Sequence, residues 1–204
     1  RKTAIHDFHE NEKSPFELVG QWLRPWYFPI QNETIETAVK RECLAVRQSL
    51  GIMDASTLGK IDIQGEDAIN FLERIYTHDV SRMALGQCAY GIMLGEDGMI
   101  KDDGVITRMG ENHFYLTTTT GGAASVLSWL EQWHQTEWPE LDVYLTSLTE
   151  HLSTIVLAGP NSRKILKKLK VNGIDKGNMK FMSVISTKID NIDVDIFRVS
   201  FSGE

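Results

Sequence analysis

The sequence predicts an α+β fold whose antiparallel sheets carry flanking helices and belong to two related lobes. Turn signals of the hairpin type divide β-rich segments between residues 90 and 120, and a second hairpin signal lies at Asp190-Asn191. A strand, a glycine turn and an amphipathic helix also occur twice along the chain. Since strands and helices mix without the regular βαβ rhythm of a parallel sheet, an antiparallel architecture is expected.

The repeated unit supports the division into two lobes. "KIDIQGEDAINFLERI" at residues 60–75 and "TIVLAGPNSRKILKKL" at residues 154–169 each combine a short strand, a Gly turn, a residue suited to N-capping and a helical period. In register, the segments pair Ile61 with Ile155, Ile63 with Leu157, Gly65 with Gly159, Asp67 with Asn161 and Leu72 with Leu166. Two instances alone do not establish an internal duplication.

The other elements follow from periodicity and turn signals. Apolar spacing in "NETIETAVKRECLAVRQSLG" predicts a helix that begins after Asn32 or Thr34 and ends at Gly51. Turns at residues 97–98 and 110–112 predict an antiparallel meander. "LSWLEQWHQTEW" returns to a helical period, and "FMSVISTKIDNIDVDIFRVSFSG" predicts the last hairpin.

The first 31 residues differ from the rest in composition. "QWLRPWYFP" concentrates aromatic residues between prolines, which interrupt a regular helix, so we predict an arm whose rings lie against another surface. That surface is either another subunit or the chain's own domain. The predicted organisation is an aromatic arm at 1–31 and a folded domain at 32–204, with lobes at about 52–150 and 151–204, the second incomplete.

Charge and composition argue against several classes of protein. A net charge of −7 disfavours a nucleic-acid partner, because phosphate binding needs clustered cations. No apolar run approaches the ~20 residues of a membrane span, and two cysteines give no disulfide framework, which fits a cytoplasmic location. His6-x-x-His9-Glu10 has metal-binding residue types but no partner cluster in the sequence, so we predict no metal site.

The Asp102-Asp103 pair is the most informative group of carboxylates. The sequence contains no nucleophile elbow, P-loop or dinucleotide fingerprint. Neighbouring strand residues point to opposite faces, so only one of the two carboxylates can line a given pocket. The pair is either part of a site or two solvated aspartates. Similarly, "TTTTGGAA" at residues 117–124 either lets a ligand approach the backbone or simply joins a strand to a helix.

Longer blocks of sequence resemble a known family. "GIMDASTLGKIDIQG", "CAYGIMLGEDGMIKDDGVI", "TTTTGGAA" and "RVSFSGE", in this order, are similar to the folate-binding aminomethyltransferases, which include the T-protein of the glycine cleavage system. "GQWLRPWYFP" and "WLEQWHQTEWP" resemble the branch found in the C-terminal half of heterotetrameric sarcosine oxidase alpha subunits. The resemblance covers essentially the whole chain. It implies a T-protein-like folate-binding fold that is truncated at the C-terminus, because "SFSGE" continues in the family into the rest of the second lobe.

The resemblance implies a folate site at four positions. It implies that Asp102 is the catalytic carboxylate, which approaches the N10 side of tetrahydrofolate, and that the ring of Tyr90 lies beside the folate. The carboxylate that pairs with the pterin falls on Glu204, the last residue. Thr119 stands where T-proteins have Asn, and because one hydroxyl does not replace both functions of an amide, equivalent polar contacts do not follow.

The implied function is one-carbon transfer. A flavin (FAD or FMN) held by a beta subunit oxidises sarcosine, and tetrahydrofolate bound by this chain captures the methylene group as 5,10-methylenetetrahydrofolate. Glycine is released, and the complex produces hydrogen peroxide. The implied partners are this flavin-carrying subunit and smaller subunits of a hetero-oligomer, with NAD elsewhere in the complex. A stand-alone aminomethyltransferase or demethylase and a non-catalytic folate-binding assembly module are the alternatives. The chain alone should lack oxidase activity, because no side chain oxidises an amine unaided.

Overall fold

The computed structural model describes residues 1–175 and 177–200. Its helices are α1 (His6–Asn11), α2 (Ile35–Gln48), α3 (Ala68–Ile75), α4 (Ala123–Thr136) and α5 (Ser162–Lys168), and a 3₁₀ turn spans Val80–Arg82. Its strands are β1 (Phe16–Val19), β2 (Trp22–Pro25), β3 (Gly51–Asp54), β4 (Gly59–Gln64), β5 (Cys88–Leu94), β6 (Ile100–Gly110), β7 (His113–Thr118), β8 (Tyr144–Ser147), β9 (Ile155–Ala158), β10 (Ser183–Ile189) and β11 (Ile192–Arg198). Every pairing between these strands is antiparallel, which confirms the predicted α+β class.

Contacts divide the chain into two compact units. The first comprises Arg1–Thr57 and Leu152–Ile174 with Ser200, and the second comprises Leu58–His151 and Asp175–Val199. The domain limits drawn from the sequence remain predictions.

In the first unit, the aromatic N-terminal segment lies against helix α2. The Arg41 guanidinium donates to the Phe28 carbonyl at 2.7 Å, and the Phe28 amide donates to the Glu42 carboxylate at 2.8 Å. Trp22 is buried, whereas Trp26 is 56% exposed. The segment therefore covers part of its own unit, which is one of the two alternatives that its composition allowed.

Helix α2 begins where its capping chemistry predicts and ends before the expected residue. Thr34 has extended backbone geometry and its hydroxyl accepts the Thr37 amide, so Thr34 is the N-cap. The helix stops at Gln48, and Gly51, its predicted end, opens strand β3. A Cβ at Gly51 would lie 2.4 Å from Val46 Cγ2. The glycine is therefore required for close packing of the strand on the helix rather than for helix termination.

A buried histidine and carboxylate connect α1 to β3 within the first unit. His9 Nε2 lies 2.9 Å from Asp54 Oδ2, and the two side chains are 3% and 0% exposed. Burial alone would raise the pKa of Asp54, but hydrogen bonds from Ser56 and His9 outweigh it and hold this pKa below its ordinary value. A carboxyl group whose pKa is lowered by folding stabilises the fold above its unfolded pKa of about 4, and this contribution is lost as the pH falls through the folded pKa.

We therefore expect the unfolding temperature to fall as the pH is lowered from about 6 to about 3, and to fall less steeply in an Asp54→Asn variant, which cannot ionise. Calorimetric scans across this pH range measure the two slopes. Asp7→Asn, which changes an exposed carboxylate on α1, is the matched control and should keep the wild-type slope. An unchanged slope in Asp54→Asn would contradict the prediction.

The second unit is built on a five-stranded sheet in the order β5-β6-β7-β4-β8. One face of this sheet packs against α3 and α4. The large apolar side chains that are most deeply buried in this core are Ile61, Ile63, Phe71, Leu72, Val80, Met93, Ile106, Phe114, Leu116, Val126 and Leu130. Burial of each such side chain stabilises the fold by about 1.5–3 kcal/mol. The core therefore holds β6 and α4 firmly in place. Asp102 and Asp103 lie on β6, and Asp102 contacts Thr119 just before α4.

The hairpin of β10 and β11 belongs to the same unit. Asp190 and Asn191 have φ angles of 46° and 70°, as a type I′ turn requires, so the predicted hairpin turn is confirmed. The Phe197 ring lies 5.5 Å from the Tyr115 ring, centroid to centroid. Since Tyr115 alternates along β7 with core residues, the hairpin covers part of the second face of the five-stranded sheet.

The predicted strand-turn-helix device occurs in both units, as β4 with α3 and as β9 with α5. The turn glycines, Gly65 and Gly159, have φ angles of 137° and 123°, which L side chains rarely adopt. The N-cap residues Asp67 and Asn161 have nearly equal φ angles of −97° and −96°. The sequence register between the two segments therefore corresponds to the same backbone conformation.

Candidate functional site

Asp102 and Asp103 lie on β6 and point to opposite faces of the five-stranded sheet. Asp102 is paired with the buried Met93 of β5 and is itself only 4% exposed, so it lies on the core side. Asp103 is paired with Ile92 and is partly exposed on the second face. This confirms the expected alternation, and it gives the two carboxylates different surroundings.

Asp102 is held at the start of helix α4. Its Oδ1 accepts the Asp103 amide at 2.8 Å and the Thr119 amide at 3.3 Å, and its Oδ2 accepts the Thr119 hydroxyl at 3.1 Å. The Thr119 hydroxyl in turn accepts the Gly122 amide at 3.1 Å. The structure thus brings together two of the predicted site residues, the buried Asp102 and the exposed Thr119, in a network that joins β6 to the N-terminal turn of α4.

Tyr90 contacts Asp103 rather than Asp102. Its hydroxyl donates to Asp103 Oδ2 at 2.5 Å, and the Tyr90 side chain is 45% exposed. The hydrogen bond to the Asp103 carboxylate raises the pKa of Tyr90 above its ordinary value, because loss of the phenol proton would put two negative charges side by side. Tyr90 and Asp102, which the sequence placed in one site, therefore lie on opposite faces of the sheet.

A β-bulge places Tyr90 on the face of Asp103 rather than on that of Asp102, the residue that the family resemblance nominated. At the hairpin tip Leu94 pairs with Ile100, but one residue further Met93 pairs with Asp102, because the register shifts between Met93 and Leu94. An unshifted ladder would have put Tyr90 on the same face as Asp102. Because of the bulge, Asp103 rather than Asp102 lies on the same face as Tyr90.

The second face also carries aromatic and polar groups further along β6 and β7. Thr107 pairs directly with Tyr115, and both lie on the same face as Asp103. Burial raises the pKa of Tyr115 well above its ordinary value, so the phenol stays protonated. An accessible carboxylate that is fixed by a hydrogen bond from a phenol can stabilise a positive charge on a ligand.

The remaining predictions about ligands concern Glu204 and metals. Glu204 lies outside the described residues. Within residues 1–175 and 177–200, no three His, Cys, Asp or Glu side chains are arranged to hold a metal ion. His6 and His9 instead contact Glu10 at 3.0 Å and Asp54 at 2.9 Å. In this described part of the chain, no helix is long and apolar enough to cross a membrane.

The solved structures similar to this chain support the predicted T-protein-like fold. The glycine cleavage system aminomethyltransferase T from Bartonella henselae aligns with the whole chain at a TM-score of 0.83, with 24% identity over 51% of its own length. A chain of the heterotetrameric sarcosine oxidase from Corynebacterium sp. U-96 aligns with 80% of this chain at a TM-score of 0.53 and 15% identity, over 78% of that chain. At these identities the likeness concerns the fold.

Curated relatives extend the comparison to sequence. A sarcosine oxidase subunit alpha from Corynebacterium sp. (strain P-1) is 52% identical over 207 residues, which cover this whole chain and 21% of the relative. The subunit alpha from Rhizobium meliloti (strain 1021) is 40% identical over the same share. An aminomethyltransferase from Alkaliphilus metalliredigens is 29% identical, and the match covers 52% of it. The chain thus spans about a fifth of the alpha subunits and about half of the aminomethyltransferase.

The model of the GCVT N-terminal domain matches residues 5–204, and the chain therefore belongs to the GCVT N-terminal domain family.

Proposed function

We propose that this chain is the tetrahydrofolate-binding, aminomethyltransferase-like part of a sarcosine oxidase alpha subunit. The observation that carries the proposal is the Tyr90 and Asp103 pair on the accessible face of a family domain that is 52% identical to such a subunit. The proposed partners are a flavin-carrying beta subunit and smaller subunits, and the proposed location is the cytoplasm.

The proposed reaction transfers the methyl carbon of sarcosine. In the proposed complex, the flavin-carrying subunit would remove a hydride from the N-methyl group and a proton from the nitrogen of sarcosine, and oxygen would take up the two electrons and two protons as hydrogen peroxide. Bound tetrahydrofolate would supply two amines for the resulting methylene group, and glycine would leave as the free amine. Because water converts the oxidised substrate to formaldehyde, this chain must hold the acceptor amine at high effective concentration and limit access of water.

Asp103 carries the electrostatic part of this proposal. A carboxylate beside an amine that gains positive charge stabilises that charge, and it can accept the proton that the amine later releases. Tyr90 donates to Oδ2 of Asp103, which fixes the carboxylate and leaves Oδ1 for the acceptor amine. Asp102, the carboxylate that the sequence nominated, stays a prediction for the catalytic role, but its burial and its three hydrogen bonds favour a positioning role through α4.

A test of this arrangement is Tyr90→Phe in the intact protein. Loss of one hydrogen bond to a charged group should reduce the yield of 5,10-methylenetetrahydrofolate relative to formaldehyde about 5–10-fold while sarcosine oxidation continues. Chromatographic measurement of both products, at saturating sarcosine and with tetrahydrofolate varied, gives the ratio. Tyr144→Phe, which changes an exposed tyrosine on β8 at the other edge of the sheet, is the matched control.

An unchanged product ratio in Tyr90→Phe would remove Tyr90 from the site. Absence of 5,10-methylenetetrahydrofolate even with wild-type protein would instead refute the folate-dependent function and leave a non-catalytic module. Formation of this product from an aminomethylated substrate without any flavin-carrying partner would favour the stand-alone aminomethyltransferase.

A further inference from the structure

A cavity of about 570 Å³ lies in the second unit, and neither Tyr90 nor Asp103 lines it. Its walls are the β5–β6 hairpin tip, at residues 95–101, and the C-terminal half of α4. Cavities of about 300–1,000 Å³ are the usual size of small-ligand sites. The side chains that give this cavity its chemistry are Glu96, Asp97, Lys101, Trp129, Trp133 and Glu137.

More acidic than basic side chains line this cavity. Asp97 accepts the Met99 amide at 3.0 Å as part of the hairpin turn. Within residues 1–175 and 177–200, the carboxylates of Glu96 and Glu137 engage in no ion pair or side-chain hydrogen bond. The ammonium of Lys101 is directed to an aromatic ring, with Nζ 5.3 Å from the centroid of Trp129. The cavity therefore has two carboxylates available to a cationic ligand.

The aromatic wall is organised to accept a cation. Trp133 stacks on Trp138 with centroids 5.2 Å apart and ring planes 14° apart, and the guanidinium of Arg74 lies 4.9 Å from the centroid of Trp138. Trp129 meets Trp133 edge-on at 86°. Neighbouring rings thus hold Trp133 in place, and both adjoining tryptophans already have a cation over them. Electron-rich ring faces attract organic cations, and rigid rings lose little entropy on binding.

We propose that this cavity binds an organic cation, a guanidinium or alkylammonium group, between Trp133 and the carboxylates of Glu96 and Glu137. The aromatic wall distinguishes such a ligand from a metal ion, which would use oxygen ligands alone. The cation is either a free small molecule or an Arg or Lys side chain of a partner protein, and both sources present the same chemistry. The proposal does not depend on folate binding, because it rests on different residues.

The test uses the intact protein labelled with 5-fluorotryptophan and observed by ¹⁹F NMR, with Trp129→Phe and Trp133→Phe variants to identify the two resonances. Tetramethylammonium chloride should shift both resonances saturably with a dissociation constant on the order of millimolar. Tert-butanol, a neutral molecule of similar shape, and sodium chloride at equal ionic strength should not. Glu137→Gln should weaken the binding of tetramethylammonium at least about threefold.

Glu131→Gln is the matched control, since it removes the same charge from α4, the helix that Glu137 directly follows, but at a residue that does not line the cavity, and it should leave the affinity unchanged. Absence of saturation up to about 100 mM tetramethylammonium would overturn the proposal, as would an equal response to tert-butanol or equal effects of Glu137→Gln and Glu131→Gln.

A titration with N-acetyl-Gly-Arg-Gly-amide identifies the source of the cation. Binding at least about tenfold tighter than that of tetramethylammonium supports a side chain of a partner protein, and weaker binding supports a free small cation.

Discussion

Asp103→Asn is expected to lower the rate of 5,10-methylenetetrahydrofolate formation in the intact protein about 10²-fold, a loss typical of removing a positioned acid or base. The substitution keeps the size of the side chain and the Tyr90 contact but removes the charge that would stabilise the acceptor amine. Flavin reduction by sarcosine should continue, so formaldehyde should replace the folate product. Because Asp103 lies partly exposed on the second face of the sheet, the unfolding temperature should change by less than about 2 °C.

Asp102→Asn is the informative comparison, because it makes the same chemical change one residue earlier in the chain. Here an amide would replace a buried carboxylate that accepts three hydrogen bonds, so one of its atoms would face a donor instead of accepting from it. We expect a loss of about 2–3 kcal/mol of stability. If Asp102→Asn abolishes the folate product in a protein of normal stability while Asp103→Asn does not, then the catalytic carboxylate is Asp102, as the family resemblance implies.

The choice between these two carboxylates shows how far the sequence could define the candidate site. Alternation along a strand was sufficient to predict that Asp102 and Asp103 face opposite ways. Alternation alone does not show which of the two aspartates shares a face with Tyr90. The answer depends on how many residues each strand contains between the hairpin turn and the positions of Tyr90 and the aspartates. The bulge between Met93 and Leu94 changes this number by one, and no local sequence signal specifies it.

The fold was more predictable than the site because its signals are local. Turn chemistry fixed the hairpin at residues 190–191, and a glycine with positive φ fixed the turn in both strand-turn-helix devices, where neither Asp67 nor Asn161 caps the helix through its side chain. The role of Thr119 was less predictable, since its hydroxyl contacts not only the nearby Gly122 but also Asp102, which lies 17 residues away along the chain. The depressed pKa of Asp54 also depends on such a distant contact, with His9.

Gly122→Ala should destabilise the protein by about 2–3 kcal/mol, because overpacking against the buried Asp102 forces the members of its hydrogen-bond network apart. A Cβ at Gly122 would lie 1.9 Å from Asp102 Oδ2 and 2.7 Å from Thr119 Oγ1. Its backbone angles of −83° and −16° are ordinary helical values, so conformation alone would permit Ala. The expected loss therefore measures how tightly Asp102 packs against the start of α4.

Gly121→Ala provides a control at the adjacent residue, since a Cβ there would meet no heavy atom within 4 Å. We expect Gly121→Ala to change stability by less than about 0.5 kcal/mol. Thermal unfolding gives the global effect, and amide hydrogen exchange gives the local one: the Val126 amide, which donates to the Gly122 carbonyl at 2.8 Å, should exchange faster in Gly122→Ala alone. Equal unfolding temperatures in the two variants would mean that Asp102 moves freely away from α4. A mobile Asp102 could reach a ligand, and the case for Asp103 as the folate-facing carboxylate would then lose its structural basis.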